Sequence, residues 1–321
     1  MTYSSGGLIQ ATDYNGFVST TVGANVNATW NSTYGQTALS TVSTAGTVTA
    51  TQWASLVNTV TNMAAHQPTT ITARSAPTTG TTISVLAAVN TDITNCFTNR
   101  YNAYAQGAQF TGWTGTNAKT AATSGASWTI TFTNTVTFAN ATAATSFFNS
   151  GGTVKIDVSK TATGAVGDPE WNDLANTLCG DIYISGLATS HTIAGVAYTG
   201  TTKIGGTGTP TTLSTGTGWD ALVAGAAATI VYKQFADTAP YTANFIQHSI
   251  AKGASSNTLV ITTLWSANDA GPGVTDPISG GTAPSGATPG TAPCTIVTYY
   301  PPESTYLTNT WGTPTVAATT V

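Results

Sequence analysis

Four acids crowd one stretch of the chain: Asp168, Glu170, Asp173 and Asp181, within GDPEWNDLANTLCGD. Two carboxylates about 5 to 10 Å apart across a sugar site can hydrolyse a glycosidic bond, and Trp171 could stack on a ring. The same spacing also suits a helix start. Glu170 and Asp173 would lie in the first turn, where negative charge complements the helix dipole, and this is the preferred reading.

The three histidines, His66, His191 and His248, fall in different expected elements, with no second ligand at metal-binding spacing. His66 suits a helix C-terminus, where a cation is favoured. Cys96, Cys179 and Cys294 lie far apart, fit neither a zinc nor a disulfide pattern, and are read as small hydrophobes. No Gly-x-Ser-x-Gly elbow and no Gly-Lys-Ser/Thr phosphate loop occurs. GGTGTP at 205–210 runs into proline and turn residues rather than a helix, so it lacks the amide dipoles that hold a phosphate. No catalytic, cofactor-binding or metal-binding residue is assigned, and no cofactor is expected.

The elements that would position these residues change character along the chain. From Asp13, a plausible N-cap, the apolar residues Tyr14, Phe17, Val18, Val22, Val26 and Trp30 recur at threes and fours as one helical stripe. A second helix fits TATQWASLVNTVTNMAAHQ, opened by Thr49 and Gln52 at capping-box spacing and stopped by Pro68. A third fits 83–101, with Ile83, Leu86, Ile93 and Phe97 on its stripe. Near residue 125 the period becomes 2. SWTITFTNTVTF places Trp128, Ile130, Phe132, Val136 and Phe138 on one face, and TVKIDVS repeats the alternation.

Between these two strands, TSFFNSGGT sets a short helix against a glycine pair. The order is helix, Gly-rich turn, strand, the reverse of a phosphate loop. Gly151 or Gly152 supplies a left-handed C-cap there. A short helix near 170–179 follows, with Pro169 near its start and Gly180 at its stop, and then strands around 182–184, 193–198, 229–235, 245–250, 259–264 and 295–299. The Pro/Gly-rich stretch from Asn268 to Pro293 reads as an exposed loop or arm, and the tail after Pro301 as a segment ordered by a neighbour.

The expected fold is α+β. A helical docking region of about three helices spans 1–105, and a β-rich, sandwich-like domain spans 106–265, with short helices near 141–149 and 170–179. An irregular loop, a final strand and a C-terminal arm occupy 266–321.

Composition narrows the setting. Charged residues make up 6% of the 321 residues and hydrophobic residues 40%, with a net charge of −4. About a fifth of the chain is threonine, which suits a pleated, half-buried surface. Few charges oppose association, which favours a chain packed against neighbours. The eight Lys and Arg are scattered, so no basic patch for nucleic acid is expected. The N-terminal stretch shows no signal-peptide pattern. The longest apolar run, Ala221 to Tyr232, is shorter than the roughly 20 residues a membrane span needs.

Five separate pieces of the sequence, in order, resemble a family of virion structural proteins of tailed bacteriophages. They are Asp13-Tyr14-Asn15 in an early helix, the Tyr34-Gly35-Gln36 turn, and Gln52-Trp53 in a helix ending in His66-Gln67. Then come Phe147-Phe148-Asn149 with Gly151-Gly152 before a strand, and Trp171-Asn172 opening a later helix. The resemblance covers roughly 6–185. It implies a non-enzymatic component of the particle, as tail fibre, neck or collar, or capsid decoration. A homo-oligomer on the tail or neck exterior, of fibre or collar type, is the preferred reading, since symmetric assembly multiplies weak contacts. Capsid decoration or a receptor- or carbohydrate-binding module is the alternative. The expected partners are copies of itself and other virion proteins, with a host surface glycan or receptor under the binding-module alternative, and composition argues for no nucleic acid and no membrane insertion. The implied location is the virion, assembled in the host cytoplasm.

Overall fold

The computed structural model describes residues 10–20, 23–80, 86–109, 116–118, 127–164, 168–268, 278 and 292–320. It has an α+β fold in which N-terminal helices pack beside two antiparallel sheets. The apolar stripe that begins at Tyr14 is carried by two helices rather than one. These are α1 (Ala11–Val18) and α2 (Val26–Trp30). The chain leaves helical geometry at Ser19, Gly23 takes φ +94°, and Asn25 restarts the helix by accepting from the Ala28 N–H at 2.8 Å. Asp13 is not the cap. It lies inside α1 and accepts from the Gln10 N–H at 3.2 Å, reaching back to an otherwise unpaired donor.

Helix α3 (Ala50–His66) opens with the expected capping box. Gln52 N–H donates to Thr49 Oγ1 at 3.2 Å, and Thr49 N–H donates to Gln52 Oε1 at 2.9 Å. Helix α4 (Leu86–Thr98) buries Val89, Ile93 and Cys96. Phe97, expected on that stripe, is half-buried under the Arg100 guanidinium. Ile83 lies outside the described residues.

The five-stranded sheet runs β1 (Thr116–Ala118), β12 (Cys294–Tyr300), β3 (Thr153–Ser159), β4 (Asp181–Ile184), β7 (Thr201–Ile204). The six-stranded sheet runs β13 (Thr315–Thr320), β2 (Ser127–Thr137), β11 (Thr258–Asn268), β10 (Phe245–Lys252), β9 (Thr229–Phe235), β8 (Thr212–Leu213). A separate hairpin pairs β5 (His191–Ile193) with β6 (Val196–Tyr198). Alternation along β2, β4 and most of β11 buries one face. Val154, Ile156 and Val158 on β3 join Phe132, Ile261 and Trp265 of the other sheet in one hydrophobic cluster that also takes in the helices. A fully buried side chain of this size stabilises by about 1.5–3 kcal/mol.

Aromatic rings tie the layers together. Trp171 lies 4.9 Å from Trp128 and 5.8 Å from Trp265. Phe138, Phe147, Phe148 and Trp219 form a second group, with Phe148 stacked on Trp219 at 5.1 Å. Helix α5 (Ala141–Asn149) delivers the phenylalanine pair. Its two glycines have separate duties. Gly151, at φ +91°, is the left-handed residue, whereas a Cβ on Gly152 would lie 2.6 Å from the Phe147 ring.

The helix expected over 170–179 is α6 (Asp168–Asp173) running into a π-helical segment, Leu174–Cys179, that Gly180 ends at φ +72°. The C-terminal residues differ most from expectation. Strand β11 continues to Asn268, β12 is inserted between β1 and β3, and β13 pairs with β2. Trp311 is buried, so the tail after Pro301 is ordered by its own chain. Most of the Pro/Gly-rich stretch lies outside the described residues. Among the described residues no helix is long and apolar enough to cross a membrane. Much of the longest apolar run is surface, since residues 223–230 are all exposed.

Candidate functional site

Most of the residues singled out in the N-terminal half converge on internal junctions. On α1, Tyr14 and Phe17 pack their rings about Trp53 of α3, at 6.1 and 5.9 Å, and Tyr14 Oη donates to the Gln52 carbonyl. Asn15 holds the extended residue Val42 from both sides. Its Nδ2 donates to Val42 O and its Oδ1 accepts from Val42 N, each at 2.7 Å. Asn27 treats Leu39 the same way, at 2.9 and 2.8 Å. A side-chain amide has the donor and acceptor of a peptide group, so it serves as a one-residue strand partner.

The same device joins residues 272 positions apart. Gln36 donates to Thr308 O and accepts from Thr308 N, both at 2.9 Å, while Thr310 Oγ1 donates to Tyr34 O. Between them Gly35 sits at φ +67°, where any side chain would strike Ser146 of α5. Beneath this clamp lies a buried pair, His66 Nδ1 and Glu303 Oε1, 2.8 Å apart. Burial alone would raise the Glu303 carboxyl. His66 and the N–H groups of Thr305 and Tyr306 outweigh that and hold it below its ordinary value. The Tyr34 ring meets the His66 ring edge-on at 5.0 Å, and Gln67 Nε2 donates to Tyr34 Oη at 2.6 Å. His66 does end a helix, as expected, but its partner is a carboxylate rather than the helix carbonyls.

The acid cluster does not gather into one site. Asp168 is fully buried, 3.3 Å from Lys160 Nζ, and also accepts from Thr163. Burial pushes the Lys160 ammonium down, with Asp168 offsetting part of it. Lys160 O in turn accepts from Asn172 and Asn176, which fastens the α6 segment to the end of β3. Glu170 and Asp173 are half-buried. Asp181 instead starts β4, 3.4 Å from Lys155.

His191 Nδ1 lies 2.9 Å from Thr189 O. His248 is buried beside Thr263, stacked on Tyr232, and burial pushes its pKa down to about 3. No group of three His, Cys, Asp or Glu able to hold a metal occurs among the described residues. All three cysteines are buried and free, with burial pushing Cys96 and Cys179 up to about 12. The glycine-rich 205–210 loop has the polarity opposite to a phosphate cradle. The carbonyls of Gly205, Gly206 and Gly208 converge on Lys203 Nζ at 2.9–3.0 Å. Among the described tryptophans none is exposed.

Two further polar groupings lie among residues the sequence did not single out as a site. One is the buried pair of Arg74 and Asp92, which fastens the segment after α3 to α4. The other lies on the outer face of the five-stranded sheet, where Lys155 Nζ stands 3.7 Å from Asp157 and 3.4 Å from Asp181. Burial, then the neighbouring Asp181, pushes Asp157 up to about 6 despite the pull of Lys155. The alternations Lys155-x-Asp157 and Asp181-x-Tyr183 carry the signal, but only strand register shows that they adjoin. Comparison of the chain with protein-family models, with curated proteins and with solved structures finds no match.

Proposed function

We propose that this chain is a non-enzymatic structural protein of a tailed-bacteriophage particle, working through protein–protein interfaces as a homo-oligomer on the tail or neck exterior. The observation that supports it best is where the residues resembling that family lie. Tyr14, Asn15, Tyr34, Gln36, His66 and Gln67 hold helices and extended segments together, and Phe147, Phe148 and Trp171 fill the core. A shared pattern spent on internal scaffolding suits a protein whose task is to keep a shape. The exposed, uncharged stretch 223–230, with Val223 at 70% and Ile230 at 46% exposure, is consistent with burial against neighbours in an assembly.

The test is mass spectrometry of purified particles, together with the oligomeric state of the isolated protein. Recovery in stoichiometric amounts is expected. Absence from particles would overturn the proposal, and recovery with the capsid after tail removal would favour decoration instead.

A further inference from the structure

Antiparallel register places a compact polar group on the outer face of the five-stranded sheet. Lys155 lies directly opposite Tyr183 of β4 and Thr298 of β12, and directly opposite residues project to the same face. The ammonium lies between the Asp157 and Asp181 carboxylates, whose side chains are 33% and 34% exposed. The Tyr183 ring stands 6.2 Å from Tyr300, on the same face. Thr298 Oγ1, beside Lys155, is buried and has no hydrogen-bond partner among the described residues. Such an orphaned hydroxyl costs free energy until something meets it.

These groups suit one class of ligand. Half-buried carboxylates with free lone pairs accept hydrogen bonds from paired hydroxyls, an ammonium donates to ring or hydroxyl oxygens, and tyrosine presents an apolar face with a polar rim. Two carboxylates against one ammonium leave the group net negative, which disfavours anionic ligands. We propose that this face binds a neutral glycan, with Asp157, Asp181 and Lys155 taking its hydroxyls and Tyr183 and Tyr300 its ring faces. The site does not depend on the particle reading, since absence from particles would remove that reading and leave this one standing.

The test is titration calorimetry of the full chain against neutral gluco-, galacto- and manno-oligosaccharides, with a sialylated oligosaccharide as the charged arm. Saturable binding of at least one neutral sugar is expected. Asp181→Asn, which keeps side-chain shape, should weaken it at least about tenfold, as should Tyr183→Ala if its melting curve shows a folded protein. No binding at millimolar sugar, affinity unchanged in Asp181→Asn, or a preference for the sialylated sugar would each overturn the proposal.

Discussion

The two halves of the molecule hold extended chain in different ways. In the sheets, backbone pairs with backbone over long runs, as between β2 and β11 from Ser127 to Thr137, and side chains are left to fill the core. Beside the helices, the stretch around 36–42 and the segment near Thr308 have no such ladder. Single amides from Asn15, Asn27 and Gln36 hold them instead. A ladder spreads its strength over many bonds that no substitution other than proline removes. A clamp concentrates it in one residue, so identity matters there and local opening is easily induced. This also accounts for asparagine and glutamine in a chain with so few charges.

The largest effect is expected in the shared core. Trp265→Ala should cost about 3–5 kcal/mol and shift the whole unfolding transition, measured by chemical denaturation. A loss confined to the sheets would mean that the two halves are energetically separate. His66→Leu leaves Glu303 buried without its partner and should cost about 3 kcal/mol. Adding Glu303→Leu should recover part of that loss, and a double-mutant cycle reads the coupling.

Asn15→Ala and Asn27→Ala should each cost about 1–3 kcal/mol, for two lost hydrogen bonds. Hydrogen exchange should then accelerate at the Val42 or Leu39 amide and not along β2. Equal acceleration in the ladder would erase the distinction between clamp and sheet.

The smallest effects are read by pH. His248 has a depressed folded pKa, so the unfolded chain binds the proton first. Stability should therefore fall as pH drops from about 6.5 toward 3, by up to about 1.4 kcal/mol per pH unit. Glu303, also depressed, loses its contribution lower in the same titration. Asp157 has the opposite sign. Its raised carboxyl favours the folded state's proton, so stability is lost as pH rises from about 4 to 6. Asp157→Asn should raise the melting temperature above pH 6 and leave it unchanged below 4.

What could be read from sequence follows from how local each cause is. The inward residues of β2 and β3 recur every second position, and the Thr49–Gln52 box caps α3 three residues apart, so both were legible. The break between α1 and α2 was not, because the apolar spacing continues across it while Gly23 and Asn25 redirect the backbone. The π-helical segment after Asp173 has the same apolar pattern as an α-helix. The His66–Glu303 pair and the Gln36–Thr308 clamp span 237 and 272 positions, and no local pattern announces contacts of that range. The acids near 170 were visible as a cluster, yet strand geometry sent Asp181 to Lys155 and left Asp168 with Lys160.

The placement of β12 and β13 has a consequence for how the chain is made. Synthesis proceeds from the N-terminus, and both sheets wait for residues 294–320. Until β12 emerges, β3 lacks one neighbour and β1 has none in its sheet. Until β13 emerges, β2 is an edge. Open strand edges are templates for mispairing, and contacts of such long sequence range form slowly. The nascent chain must therefore carry unpaired, charge-poor β-strands until residues 294–320 have been made, and the interval before they arrive is when it is most open to pairing with its own kind.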